Sequence, residues 1–406
     1  MKLGLALGSG GSKGAYQVGF FQALKELKMP YHVITGASIG ALNGAIMAGG
    51  DLPMLEKLWH NLEVKKVMKH GINLDLDEIL RSDKKELLKF IASYIKNKGM
   101  DISPFKSLIA EHLDIDKLLK APVDFAITVA TYPKMVGKDI IIKDVKREEI
   151  ADYLLASASC YPAFPVTKIG EENYIDGAYY DRLPIDLAFR LGSDHVIAVD
   201  LNTVAYSHPE YLDKANVTYI RSYHHLGPFL MIKPDIMARN MRLGYLDTMK
   251  KFGKYLGFKY TFKITAAFDK KASEINHIIA KAGIEELDFF LTSKIHETMT
   301  DRTRYLRFLE IIAEAADLDP LKIYEIPQLT TEIDQAISVN MHHKNWINKR
   351  PGEQQLRLQT MRKAARLGMI KQIALEKLEL PEATKTMLAM HFPELYFTAI
   401  YYGLVK

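Results

Sequence analysis

His32-Val33-Ile34-Thr35-Gly36-Ala37-Ser38-Ile39-Gly40-Ala41-Leu42-Asn43-Gly44-Ala45-Ile46-Met47-Ala48 opens with a short strand-like run, passes through a serine set among glycines, and continues in small helix-forming residues. The pattern predicts a strand, a sharp turn and a helix, with Ser38 at the apex. Gly36 and Gly40 remove Cβ atoms where strand and helix nearly meet, so the serine can be held in a strained backbone conformation with its hydroxyl exposed. The same position lies at a helix N-terminus, where unpaired N–H groups and the helix dipole favour developing negative charge. Two readings fit these residues: a nucleophile, or an ordinary glycine-bearing turn.

A second strand, glycine loop and helix precede the first. Leu3-Gly4-Leu5-Ala6-Leu7 reads as a buried strand, Gly8-Ser9-Gly10-Gly11-Ser12-Lys13-Gly14 as a loop, and Ala15 to Leu27 as a helix with Val18, Phe21, Leu24 and Leu27 at helical spacing. A dinucleotide fold wants Gly-x-Gly-x-x-Gly and an acidic residue ending the next strand. Here the glycines fall at 8, 10, 11 and 14, and the next strand ends in Gly36-Ala37-Ser38. A P-loop wants Gly-Lys followed by Ser or Thr, whereas Lys13 is followed by Gly14. An oxyanion hole accounts for both glycine motifs, with the N–H groups of Gly10 and Gly11 supplementing that of Ile39. The plain alternative is a loop that only lets strand and helix pack closely.

A serine hydroxyl needs a base to take its proton. In an ordinary α/β-hydrolase the nucleophile follows several strands and is itself followed by an acid and then a histidine; Ser38 comes too early for that. Downstream, Asn173-Tyr174-Ile175-Asp176-Gly177-Ala178 reads as a strand running into an acidic turn, and Asp-Gly is also a common turn pair.

Taken together, Gly10-Gly11-Ser12-Lys13-Gly14, Gly36-Ala37-Ser38-Ile39-Gly40 and Asp176-Gly177-Ala178 resemble, in order, the three signature blocks of the patatin-like phospholipases. Ala156-Ser157-Ala158-Ser159-Cys160-Tyr161-Pro162-Ala163-Phe164-Pro165 resembles the small-residue and proline segment that precedes the last block. The likeness covers roughly the first half of the chain, and Lys13 stands where the family usually has Arg, which weakens any bidentate role for that side chain. The resemblance implies a Ser-Asp dyad with Ser38 as nucleophile and Asp176 as base, supported by Gly8, Lys13, Gly14, Gly36, Gly40 and Gly177. An ordinary Asp, with a pKa of about 3.9, is a feeble base at neutral pH, so burial and a direct bond to Ser38 must raise its basicity. The implied activity is that of a serine carboxylic-ester hydrolase cleaving fatty acyl esters of phospholipids or lysophospholipids through an acyl-serine. The alternatives are an acyltransferase using the same acyl-serine, or an inactive lipid-binding or regulatory protein. Ser38→Ala and Asp176→Asn are each expected to abolish hydrolysis while leaving unfolding nearly unchanged.

Composition sets the frame. The chain has 406 residues, 48% hydrophobic and 25% charged, which is the balance of a globular protein with room for a full core and a second unit. Its single cysteine, Cys160, cannot close an internal disulfide and reads as a small core residue. No zinc pattern or calcium-loop spacing is present, so no metal and no cofactor is expected. The apolar run after Lys2 ends in the glycine loop, where signal cleavage would delete the candidate site; with no membrane-spanning run, a cytoplasmic protein is expected.

Strand-like runs at Val123–Ala130, 139–142, 195–199 and 217–220 alternate with helical patterns. They predict an α/β fold of three layers, α/β/α, around a mostly parallel sheet. Residues 1–265 are read as this catalytic domain, with 52–120 as a helical insertion carrying helical patterns at Met54–Leu62 and Lys84–Ile95. Residues 266–406 are read as a helical C-terminal region, from the spacing of Ile275-Ile278-Ile279, Leu287-Phe290-Leu291 and Leu306-Leu309-Ile312-Ala313. Between His342 and Lys371 eight basic residues face one acidic residue, Glu353. That stretch, beside Trp346, suits peripheral contact with an anionic membrane or a solvated helix face, as the aromatic tail around Tyr401 and Tyr402 suits an interfacial anchor or core packing. Nucleic-acid binding has no motif to support it.

Overall fold

The strands follow from buried apolar runs. Leu3–Leu7 (β1) and Val33–Gly36 (β2) are buried at every position, as strands covered on both faces must be. They are joined by Asp124–Thr131 (β3), Gly137–Ile141 (β4), Thr167–Ile169 (β5), Glu172–Asp176 (β6), His195–Asp200 (β7) and Val217–Arg221 (β8). The computed structural model describes residues 1–69, 99–266, 268–274 and 300–336, with Arg350 and Glu353. These strands form one sheet in the order β5-β6-β3-β2-β1-β7-β8, with β4 also paired to β3. The run β3-β2-β1-β7-β8 is parallel throughout. Antiparallel pairing is confined to β4, β5 and β6, and the three-residue β5 was too short to read from the sequence.

The helices of this first unit, Met1–Lys251, are Ala15–Glu26 (α1), Ile39–Ala48 (α2), Leu52–His60 (α3), Val64–Val67 (α4), Ser103–His112 (α5), Ile115–Lys120 (α6), Ile150–Ser157 (α7), Ile185–Arg190 (α8) and Pro234–Lys251 (α9). Helices α3 to α6 fall within residues 52–120, the stretch read from the sequence as a helical insertion, while Lys84–Ile95 lies outside the described residues. α3 starts where the Asp51 side chain accepts from the Met54 N–H at 3.0 Å, with Pro53 in its first turn. It buries Leu52, Leu55 and Trp59, the apolar face of its helical repeat.

α1 and α9 meet backbone to backbone. A Cβ at Gly19 would fall 1.8 Å from the Met241 carbonyl oxygen, and one at Gly244 would fall 1.9 Å from that of Tyr16. Beside this contact the buried Tyr16 hydroxyl donates to Asp247 at 2.8 Å, and Lys250 pairs with the same carboxylate at 2.9 Å. Gly19→Ala is therefore expected to push the helices apart and to cost about 1–3 kcal/mol, read as a lower urea midpoint; an unchanged midpoint contradicts the close approach.

The second unit, Phe252–Lys406, is described only in part. Asp301–Ala315 (α10) starts at a capping box between Thr300 and Thr303, and Ile326–Ala336 (α11) follows. The sequence-based reading places residues 255–263 in the first domain and takes 266–406 as helical; Tyr255–Leu256 (β9), Thr261–Lys263 (β10) and Ile323–Tyr324 (β11) instead form a small sheet in the order β11-β10-β9. Strands of two and three residues carry too little alternation to be seen. Their loop is held by Glu310, only 1% exposed, whose Oε1 accepts from the N–H groups of Phe258, Lys259 and Tyr260 at 2.5, 2.7 and 3.1 Å. The repeats at 275–279 and 287–291, nearly all of the basic stretch 342–371 and the aromatic tail lie outside the described residues. No described helix is long and apolar enough to cross a membrane.

Candidate active site

β3 brings Ser38 and Asp176 together. Ala126 and Ile127 pair with Thr35 and Gly36 of β2, and also with Ile141 and Ile140 of β4. Val129 and Ala130 pair with Lys138 and Gly137 of β4, and also with Asp176 and Ile175 of β6. One edge of a strand takes one partner at each position, so β4 holds one edge while β6 joins the edge that β2 leaves. Gly36 ends β2 beside Ile127, and Asp176 sits beside Val129, two residues further along β3, about 7 Å in a strand. Ser38, two residues past Gly36, is thereby delivered next to Asp176.

The side chains complete the approach. Ser38 Oγ donates to Asp176 Oδ2 at 2.7 Å, while Asp176 Oδ1 accepts from the Ala178 N–H at 2.8 Å. Asp176 is 2% exposed and Ser38 8%. Burial pushes the Asp176 carboxyl up to about 6, against the opposing pull of the Ser38 hydroxyl, the Ala178 N–H and the charge of Arg182. Ser38 is held at φ 54° and ψ −122°, a region that non-glycine residues rarely adopt. Its tight surroundings force the glycines: a Cβ at Gly36 would lie 2.5 Å from the Gly40 carbonyl oxygen, and one at Gly40 would lie 2.2 Å from that of Leu7.

Two further residues, not singled out from the sequence, hold this pair. The Ser38 N–H donates to Ser157 Oγ at 3.1 Å, and Ser157 Oγ donates to the Thr128 carbonyl at 2.8 Å. The Asp176 N–H donates to the Ser159 carbonyl at 3.0 Å. The small-residue segment thus ties the backbones of both residues; its composition was visible, but its partners were not.

The glycine loop begins against the first turn of α2. Gly8 N–H donates to the Val199 carbonyl at 3.0 Å, and Ala37 N–H to that of Leu7 at 3.2 Å. Among the described residues the N–H groups of Gly10, Gly11 and Ile39 have no hydrogen-bond partner. Unpaired donors in a cleft are what a transient oxyanion needs. Gly11 has φ +57°, and a Cβ there would meet the Phe229 carbonyl oxygen at 2.0 Å. At Gly14 a Cβ would run into the side chains of Ile39 and Trp59, and one at Gly177 would fall 2.1 Å from the Thr128 carbonyl oxygen. Lys13 is not joined to Ser38 or Asp176. It lies near Arg182 and Asp200, its ammonium disfavoured first by burial and then by the Arg182 charge.

Cys160 is half-buried rather than a core residue, and burial with the nearby Asp176 charge pushes its thiol up, away from thiolate chemistry. Among the described residues no group of three or more His, Cys, Asp or Glu side chains is placed to hold a metal ion.

An apolar cleft of about 100 Å³ opens beside Ile39, the residue after Ser38. Gly11 and Ile39 belong to its lining, α2 also contributes Leu42 and Ile46, α3 contributes Trp59 and α5 contributes Phe105. Ile46 stands seven residues beyond Ile39 on α2, about 10 Å along a helix. The cleft therefore offers an apolar path that starts at the residue after Ser38.

Residues 5–189 match the family model described as patatin-like phospholipase. Among curated proteins, Lysophospholipase NTE1 of Cryptococcus neoformans is 25% identical over 303 residues, covering 70% of this chain and 17% of that protein. Patatin-like phospholipase domain-containing protein 7 of Mus musculus is 28% identical over 204 residues, covering 50% of this chain and 14% of that protein. The chain thus matches less than a fifth of the length of these relatives. Among solved structures, VipD from Legionella pneumophila aligns over 100% of this chain and 91% of its own, with 13% identity and a TM-score of 0.41.

Proposed function

Residues 5–189 are a patatin-like phospholipase domain, and from that premise we propose that the protein is a lipid acyl hydrolase acting on phospholipids or lysophospholipids through an acyl-Ser38 intermediate. The observation that carries this reading is the 2.7 Å hydrogen bond from Ser38 Oγ to a buried carboxylate whose pKa is pushed up to about 6. Such a group is ionised at neutral pH, yet far more basic than an ordinary aspartate. Ser38 Oγ bonds to the ester carbonyl carbon while its proton passes to Asp176. The carbonyl oxygen becomes an oxyanion that accepts from the N–H groups of Gly10, Gly11 and Ile39. The C–O bond to the alcohol breaks, and Asp176 returns the proton to the leaving oxygen. Water then repeats the sequence at the acyl-Ser38 carbonyl and releases the fatty acid.

The apolar cleft beside Ile39 suits the acyl chain, and relatives named lysophospholipases favour single-chain substrates. Peripheral contact with an anionic membrane belongs to the same reading, since the substrate resides there. A fluorophosphonate probe is expected to label Ser38 in the wild-type protein and to leave Ser38→Ala unlabelled. Mass spectrometry of a treated lipid extract is expected to show free fatty acid. Folded protein that resists the probe contradicts the reading, and acyl groups moved to added lysolipid rather than water would make the enzyme a transferase.

A further inference from the structure

Both ends of the glycine loop are held by side chains from outside it. Gln17 Nε2 on α1 donates to the Gly8 carbonyl at 2.8 Å. Asn43 Nδ2 on α2 donates to the Gly14 carbonyl at 3.1 Å and to Gln17 Oε1 at 2.8 Å. Trp59 Nε1 on α3 donates to Asn43 Oδ1 at 2.9 Å. Gln17, Trp59 and Asn43 are 0%, 1% and 2% exposed, so water cannot replace any of these bonds. The orientation of every group is forced. An indole N–H only donates, so Asn43 must turn its oxygen to Trp59 and its nitrogen to the Gly14 carbonyl. A carbonyl only accepts, so Gln17 must turn its nitrogen to Gly8, which leaves its oxygen for Asn43.

We propose that Gln17, Asn43 and Trp59 are positioning residues: a buried chain of amide hydrogen bonds that fixes the N–H groups of Gly10 and Gly11 relative to Ser38. The proposal rests on the acyl-serine reading above. Gly10 and Gly11 lie between the two anchored carbonyls, and their own N–H groups are unpaired among the described residues. Asn43 stands on the helix that Ser38 starts, so the chain joins the nucleophile's helix to the oxyanion loop directly. Trp59 and Asn43 also line the apolar cleft. Helix α3, which helps to wall the cleft, is therefore bonded through one asparagine to the glycine loop. A satisfied buried network of this kind is rigid, and losing one member leaves others unpaired. An oxyanion donor contributes about 10²–10³-fold to kcat, and a misplacement of about 1 Å can cost about 10²-fold.

Gln17→Glu tests the chain, because it keeps the size and the acceptor for Asn43 while placing an oxygen against the Gly8 carbonyl. With p-nitrophenyl butyrate as substrate, kcat at pH 8.5 is expected to fall about 100-fold with KM within about twofold of wild type. A buried carboxyl has a raised pKa, and once protonated it donates to Gly8 again. The kcat ratio of Gln17→Glu to wild type should therefore climb as pH falls towards 6, a recovery that a purely structural defect would not show. Trp59→Phe, which keeps most of the ring bulk and deletes the N–H, is expected to lower kcat about tenfold and covers the case in which Gln17→Glu fails to fold. Wild-type kcat in Trp59→Phe, or a Gln17→Glu deficit that ignores pH or resides in KM, overturns the positioning role. If Ser38→Ala still hydrolyses the ester, the acyl-serine reading itself falls, which is a separate outcome.

Discussion

Asp176→Asn is expected to lower ester hydrolysis by about 10²–10⁴-fold, the usual range for loss of a general base, and to make the protein more stable above pH 6. Both effects come from the same buried carboxylate. Its folded-state pKa is raised from 3.8 to about 6, first of all by burial, so the folded protein holds a proton that the unfolded chain releases between those values. Stability therefore falls as pH rises from about 4 to 6, and the penalty is fully present above the folded pKa. At 1.36 kcal/mol per unit it amounts to about 3 kcal/mol. Asparagine removes it: Oδ1 still accepts from the Ala178 N–H, and the new amide nitrogen donates to Ser38 Oγ, whose hydroxyl turns elsewhere. Melting curves of variant and wild type should be several degrees apart at pH 8 and converge near pH 4. This replaces the expectation, drawn from sequence, of nearly unchanged unfolding. Wild-type kcat should fall below pH 6 along one ionisation, and Ser38→Ala should be inactive at every pH. An Asp176→Asn protein that melts with wild type at pH 8 would show that the carboxylate is not desolvated.

The residues legible in the sequence are those whose requirement is local. Gly36 and Gly40 are demanded by the backbone around Ser38 itself, so the turn could be read from five consecutive residues. The parallel strands were legible as buried apolar runs. Asp176 needed the family resemblance, because an Asp-Gly pair is ordinary until a strand register places it beside Ser38. The register is long-range information, set by β3 exchanging β2 for β6 along one edge. Ser157 and Ser159 were hidden for the same reason: serines are common, and only their partners distinguish these two. Asn43 left a faint signal as a lone amide in the otherwise apolar Ala41–Ala48 run, since a buried polar group must find a partner. Its partners, Gln17 and Trp59, lie on two other helices. The apolar cleft was least legible, because its walls come from segments that no single periodicity joins.

That cleft makes the second large prediction. Ile39, Leu42 and Ile46 line it from α2, at spacings that keep one helix face turned to the same side. An acyl chain whose carbonyl sits at Ser38 must run past Ile39 and Leu42 before reaching Ile46. Ile46→Trp places an indole across the far end and excludes the methylenes that would lie there. Each buried methylene contributes about 0.8 kcal/mol. Excluding four of them costs about 3 kcal/mol, or about 200-fold in kcat/KM. The expected result is a chain-length profile that shifts to shorter esters, with the ratio of long-chain to short-chain kcat/KM falling by about that factor. An unaltered profile would mean that the acyl chain leaves the serine by another route and that the cleft is only a packing defect beneath α3 and α5. A drop shared equally by all chain lengths would instead locate the damage at the oxyanion loop, because Ile46 stands one turn beyond Asn43 on the same helix.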